Sequence, residues 1–159
     1  MKQIILSIFL IIKLTAVYSQ TLNNNIIKFH RYYKGVGIIL PNDYFPPFDI
    51  EDFASRFKPS CEDIEKVEQI IKNKWNKLYF DTIYFNYKKL RHRNRQYFCY
   101  KTKKNEKIVL VMFLNFKNNK KTKMYFNKWK KELILGFGSF YEKNTLLIKV
   151  NISKETIFR

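Results

Sequence analysis

The sequence predicts an α+β domain in which one amphipathic helix packs on a four- to five-stranded antiparallel sheet. Apolar residues recur at three- and four-residue steps from Ile64 to Leu78, and at two-residue steps later, above all over Lys107 to Phe116 and Thr145 to Ile152. With 159 residues, 46% hydrophobic and 18% aromatic, the chain holds material for one core and no more.

Met1-Lys2, an apolar run from Ile4 to Ile12, and Val17-Tyr18-Ser19 before Gln20 read as a signal peptide over residues 1–19. Lys13 ends that run short of the roughly 20 residues that span a bilayer. A cleaved leader is thus expected rather than a retained anchor, and no Cys follows for lipid attachment. The expected product is secreted or periplasmic, with no transmembrane segment after cleavage. Residues 20–34, with Asn23 to Asn25, are expected to form a flexible arm, and residues 35–159 the single α+β domain.

Lys34 to Leu40 is the first expected strand, stopped by Pro41-Asn42-Asp43. In Tyr44 to Phe57, Pro46-Pro47 forbids regular structure, so a loop is expected, with one helical turn around Ile50 to Arg56. Ser60, three residues before Asp63, makes a capping box for the helix. Glu62, Asp63 and Glu65 open it, and Lys72, Lys74 and Lys77 close it, the polarity the helix dipole favours. About 18 residues at 1.5 Å each make a rod of about 27 Å.

Gln96 to Lys101 and Lys107 to Phe116 read as a hairpin across Thr102 to Lys107. In its second strand Ile108, Leu110, Met112 and Leu114 line one face and Val109, Val111 and Phe113 the other, so it should be central and covered on both sides. A polar loop over Asn115 to Tyr125 is expected next, then strands at Lys131 to Phe137 and Thr145 to Ile152 joined across Gly138 to Asn144. Tyr44, Phe45, Phe48 and Phe53 would cover the sheet's second face; failing that, Val109, Val111 and Phe113 would be exposed and would call for a homodimer, another protein partner or a ligand.

The resulting order, β-α-β-β-β-β, is similar to that of cystatin-type folds. The likeness is topological only: their Gln-x-Val-x-Gly inhibitory motif is absent, Gly35 and Gly37 are its sole echo, and protease inhibition is not implied. From Asn94 onward, Asn94-Arg95-Gln96-Tyr97-Phe98, Asn105-Glu106-Lys107-Ile108 and Phe126-Asn127-Lys128-Trp129-Lys130-Lys131-Glu132 resemble small secreted proteins and lipoproteins of Bacteroidetes. That resemblance covers roughly Asn94 to Asn151 and implies no chemistry. Cys99 stands where those proteins usually carry Gly, and Gly138-Ser139 where they carry a Gly-Gly turn.

The net charge is +18, and Lys outnumbers Arg 25 to 6. Phe, Tyr, Met, Ile, Asn and Lys, all with AT-rich codons, make up 88 residues, so much of the charge is mutational bias and by itself says little about function. Its distribution says more. Asp43 to Glu68 carries −5 and Gln69 to Arg159 carries +18, an asymmetry that suits a polyanionic partner. Lys88, Lys89, Arg91, Arg93 and Arg95, with Lys128, Lys130 and Lys131, are the candidate contacts for phosphate or sulfate groups, beside Tyr84, Phe85, Tyr87 and Tyr97. The alternative is a solvated loop with its rings in the core. Retention of three Arg in an Arg-poor chain marks the first cluster, because guanidinium binds oxyanions through two parallel hydrogen bonds.

Cys61 and Cys99 are an even pair; an exported chain could join them, closing about 40 residues for roughly 3 to 4 kcal/mol, or bury them as two thiols. No Cys/His spacing suits a metal, and no cofactor motif occurs. His92 lies among cations without a carboxylate to orient it, and Asp49, Glu51 and Asp52 are too close in sequence for the acid pair of a glycosidase, which comes from separate elements. The expectation is a non-enzymatic exported binding module of unspecified ligand. Polyanion binding is the first alternative and a small hydrolase the second.

Overall fold

The computed structural model describes residues 25–77, 85–117 and 119–158. The expected leader, residues 20–24 of the expected arm, Leu78 at the helix end and Tyr84 beside the basic cluster lie outside these residues. The domain is α+β, with a mostly antiparallel sheet.

Seven strands build the sheet: β1 (Ile26–Ile27), β2 (Gly37–Ile39), β3 (Phe53–Arg56), β4 (Asn94–Thr102), β5 (Lys107–Leu114), β6 (Thr145–Asn151) and β7 (Thr156–Phe158). Their order is β1-β2-β4-β5-β6-β7, with β3 also on β4. The long β4 gives one whole edge to β5, with Asn94 opposite Leu114 and Lys101 opposite Lys107. Its other edge is divided: β2 pairs in parallel over Arg95 to Tyr97, and β3 antiparallel over Tyr100 to Thr102. Four to five antiparallel strands thus become seven, one of them parallel to its neighbour.

The principal helix, α1 (Cys61–Lys74), runs into a 3₁₀ turn at Trp75–Lys77. Both halves of the capping box are made: Ser60 Oγ accepts from Asp63 N, and Asp63 Oδ2 accepts from Ser60 N, each at 3.1 Å. Ile64, Val67, Ile70 and Ile71 are buried on the first face of the sheet, against Cys99, Val109, Val111, Phe113, Ile148 and Val150. Three short helices accompany it among the described residues: α2 (Tyr87–Leu90), α3 (Asn119–Tyr125) and α4 (Ser139–Asn144). A single helix was therefore too few.

β5 is the central strand its two apolar faces foretold, buried from Ile108 to Leu114. On the second face, Phe98, Tyr100, Leu110, Met112 and Leu114 meet Leu40, Phe126, Leu133 and Ile134, with Tyr44, Ile50 and Phe53 packed against them. The Tyr44 ring meets Phe98 at 6.2 Å and Phe53 meets Tyr100 at 5.8 Å, so these aromatics cover the sheet, but on the face of Leu110 and Met112; Val109, Val111 and Phe113, the residues expected beneath them, lie under α1. Phe45 and Phe48 remain exposed at the margin.

Four expectations about local structure need correction. From Asn25 the expected arm is docked rather than flexible: Ile27, Phe29, Tyr32 and Tyr33 enter the core, because this stretch is aromatic as well as Asn-rich. The turn expected at Ile50 to Arg56 is strand β3, since β4 offers it an open edge. The strand expected at Lys131 to Phe137 is irregular. There, Gln96, buried on β4, donates through Nε2 to the carbonyls of Trp129 (2.5 Å) and Glu132 (2.6 Å) and accepts from Ile134 N (2.9 Å), so one side chain satisfies a backbone that would otherwise seek a strand. The polar loop at Asn115 to Tyr125 contains α3.

One position on the apolar stripe of α1 is an acid. Glu68 is fully buried, and so is Arg95 of β4, whose Nε lies 2.8 Å from Glu68 Oε1. Tyr97 Oη donates to the same oxygen at 2.7 Å, and Arg95 stacks over the Tyr33 ring at 3.8 Å. Arg95 Nη1 donates to the Arg93 carbonyl at 2.8 Å, while Glu68 Oε2 and Arg95 Nη2 have no hydrogen-bond partner among the described residues. Deleting either charge strands the other in the core. Glu68→Gln and Arg95→Met should therefore each destabilise by about 3 to 5 kcal/mol in urea unfolding, and Glu68→Leu/Arg95→Met by clearly less than their sum. Single losses under about 1 kcal/mol would show that the pair does not organise the core.

β7 is held from outside by ions: Lys66 pairs with Glu155 at 3.0 Å and Lys154 with Glu106 at 2.6 Å, while Lys74 Nζ donates to the Glu155 carbonyl. Hydrogen bonding and the charge of Lys66 hold the Glu155 carboxyl below its usual 4.5. The contribution is complete above pH 4.5 and is lost as pH falls through the lower folded value. Amide shifts of Thr156 to Phe158 should titrate below pH 4.5, and Lys66→Ala should move that titration upward; an unmoved midpoint would refute the coupling.

Candidate functional site

The strand register brings two basic runs together. Asn94 pairs with Leu114, so the segment entering β4 and the segment leaving β5 emerge at one end of the sheet. Between them lies a cleft of about 410 Å³ lined by Asn86, Lys88, Lys89, His92, Arg93, Asn115 and Lys117. Among the described residues, four cations and two side-chain amides line it, with no carboxylate.

Each wall has a local cause. Asn86 caps the single turn of α2, its Oδ1 accepting from Lys89 N at 2.8 Å, and buried Leu90 anchors that turn. Lys88 and Lys89 are thereby left exposed. Lys34 N donates to the Arg91 carbonyl at 2.7 Å and Arg91 Nε to the Tyr32 carbonyl at 3.3 Å, tying the basic loop to the docked N-terminal segment. Opposite, Asn115 Nδ2 donates to Asn144 Oδ1 at 3.0 Å, and Asn115 Oδ1 accepts from Lys117 N at 3.2 Å, which fixes the backbone that presents Lys117.

Arg93 forms the floor. It is 5% exposed, stacks over Phe85 at 4.6 Å and donates through Nη2 to the Lys143 carbonyl at 3.3 Å. Burial alone lowers its pKa to about 10, so it keeps its charge at neutral pH. A charge held in a poorly solvated wall attracts an anion more strongly than an exposed lysine does. The donor set suits a tetrahedral oxyanion such as phosphate or sulfate.

The expected contacts are divided by this geometry. Lys88, Lys89 and Arg93 line the cleft, whereas Arg91 is half-buried against Tyr32 and is not among its lining residues. Arg95 cannot touch a ligand: it is wholly buried on Glu68. Lys128, Lys130 and Lys131 are exposed on a turn at the same end, where Trp129 stacks on Phe116 at 5.2 Å, and Lys128 is engaged with Glu132 at 3.2 Å. Phe85 and Tyr97, expected to stack ligand rings, are buried in the core. Sequence reasoning missed Asn86 and Asn115; whether a lysine of the run from Lys117 meets the first cluster could be asked of the sequence but not answered by it, because the β4–β5 register alone links them. Among the described residues, no group of three or more His, Cys, Asp or Glu is placed to hold a metal.

The cysteines form no disulfide. Cys99 lies wholly buried in the middle of β4, where burial drives its thiol pKa well up, and Cys61 is half-buried at the first turn of α1. Compared with family models, curated proteins and solved structures, the chain matches none. Titration with a thiol reagent and no reductant should modify Cys61 slowly in the folded protein and both cysteines once it is unfolded; no reaction after unfolding would mean that a bond joins them.

Proposed function

We propose that this protein is an exported, non-enzymatic binding module whose cleft takes the phosphate or sulfate groups of a polyanion. The observation that carries the reading is the convergence of Lys88, Lys89 and Arg93 with Lys117 on one cleft, from stretches separated by the β4–β5 hairpin. Charge scattered by codon bias has no reason to converge. Export rests on the leader-like residues 1–19, and the reading as a binding module rather than an enzyme rests on the lining, where His92 has no acid beside it among the described residues.

Lysine supplies mobile point charges, and the anchored Arg93 adds one fixed, buried positive charge behind them. Such a site favours charge density over sequence or sugar pattern, so affinity should be governed by counterion release. Binding to heparin between about 50 and about 300 mM salt should show a steep slope, and Lys88→Ser/Lys89→Ser/Lys117→Ser should lower that slope by about 3. Triple Ser substitution at Lys101, Lys103 and Lys104, at the far hairpin, is the control. An equal loss in both variants would reduce the interaction to net charge and remove the cleft from the account.

A further inference from the structure

A second surface, separate from the cleft, combines apolar tips with lysines. Four of the seven large exposed apolar side chains among the described residues lie between 124 and 137: Met124, Tyr125, Leu135 and Phe137. Phe137 is 100% exposed, an extreme value for a ring that loses most from contact with water. Gly136 and Gly138 flank it, and Gly138, at φ 88°, adopts a turn conformation that favours glycine. The result is a slender loop carrying a ring at its tip.

Tyr141 brings together the two segments that carry these side chains. The Tyr125 ring stands 5.6 Å from the Tyr141 ring, and Gly136 sits so closely on that same ring that a Cβ there would overlap it. In the same stretch of chain, Lys120, Lys123, Lys130 and Lys131 are exposed. From Lys117 to Phe137 the sole acid is Glu132, and it is paired with Lys128.

We infer that this patch docks on an anionic lipid surface, with Phe137 and Leu135 entering the acyl boundary and the lysines resting on the headgroups. Charge complementarity selects that occupant. Protein interfaces are depleted in lysine around their apolar centres, whereas lysine stems lie along apolar matter and lift their ammonium groups to a headgroup plane. Bilayer binding adds buried apolar area to a favourable term for each cation near an anionic surface, and this patch supplies both. It does so without a spanning element; among the described residues no helix is long and apolar enough to cross a membrane.

The test is vesicle binding by the purified protein, using phosphatidylcholine alone and phosphatidylcholine with about 30% phosphatidylglycerol. Binding should be at least about tenfold tighter to the anionic vesicles, and Phe137→Ser/Leu135→Ser should weaken it about tenfold while heparin binding stays unchanged. Phe137→Trp supplies a direct readout: its added fluorescence should shift to the blue and be quenched by brominated acyl chains. Vesicle binding without that quenching would mean adsorption by lysines alone and would overturn insertion. Absence of vesicle binding, with self-association abolished by Phe137→Ser, would assign the patch to a second copy of the chain and also overturn it. Because the cleft variants are read on heparin and the Phe137 variants on lipid, either conclusion can fail alone.

Discussion

The core is organised around a charge that an apolar helix stripe would not be expected to carry. Glu68 occupies a position on α1 between Ile64 and Ile71, and the guanidinium that neutralises it comes from β4. A buried pair of this kind contributes little net stability compared with an apolar pair of equal volume, but it is costly to misalign. The helix can therefore be seated on the sheet in one register, with Glu68 over Arg95 and Tyr97. Tyr33 reaches the same group by stacking on Arg95, and Tyr97 Oη lies 3.3 Å from its hydroxyl, so the N-terminal segment is docked by the same charge.

Arginine has this structural duty elsewhere in the fold. Arg56 donates to the carbonyl of Cys99 at 2.8 Å and to those of Tyr44 and Leu40, and stacks on Phe98 at 3.9 Å. Cys99 lies at the break on the β4 edge, between its pairing with β2 and its pairing with β3, and Arg56 fills that break. Arg91, Arg93 and Arg95 likewise each donate to a backbone carbonyl. A planar group with five donors and an apolar face serves these positions better than an ammonium, which explains why Arg persists here in a chain otherwise rich in Lys. The Arg cluster does resist composition bias, but folding is the principal cause; among its three members, only Arg93 also faces the cleft.

Periodicity made the long elements legible. The steps of Ile64, Val67 and Ile71 gave α1, and the two-faced apolar run of β5 gave a covered central strand. Illegible parts were those whose partners lie far along the chain. β3 forms because β4 has a vacant half-edge, Trp129 to Ile134 stays irregular because Gln96 satisfies it, and Lys117 joins Lys88 because Asn94 opposes Leu114. None of these leaves a local pattern. Glu68 alone left a signal, an acid in phase with an apolar stripe, which should have prompted a search for a buried cation.

The division of labour between the two cations also bears on binding. With the arginines committed to carbonyls and rings, Lys88, Lys89, Lys117, Lys128, Lys130 and Lys131 project from one end of the sheet with few acids among the described residues to neutralise them: Glu132 already serves Lys128, and no described residue of the cleft lining is a carboxylate. Like charges brought together by folding raise the free energy of the native state, most of all at low ionic strength. On the proposed reading, an anion at that end would remove the repulsion and bind the folded chain in preference to the unfolded one, in which Lys88 and Lys117 are far apart. Anion binding and native stability would then be coupled by mass action, and the charge crowding that weakens the empty protein would favour a polyanion.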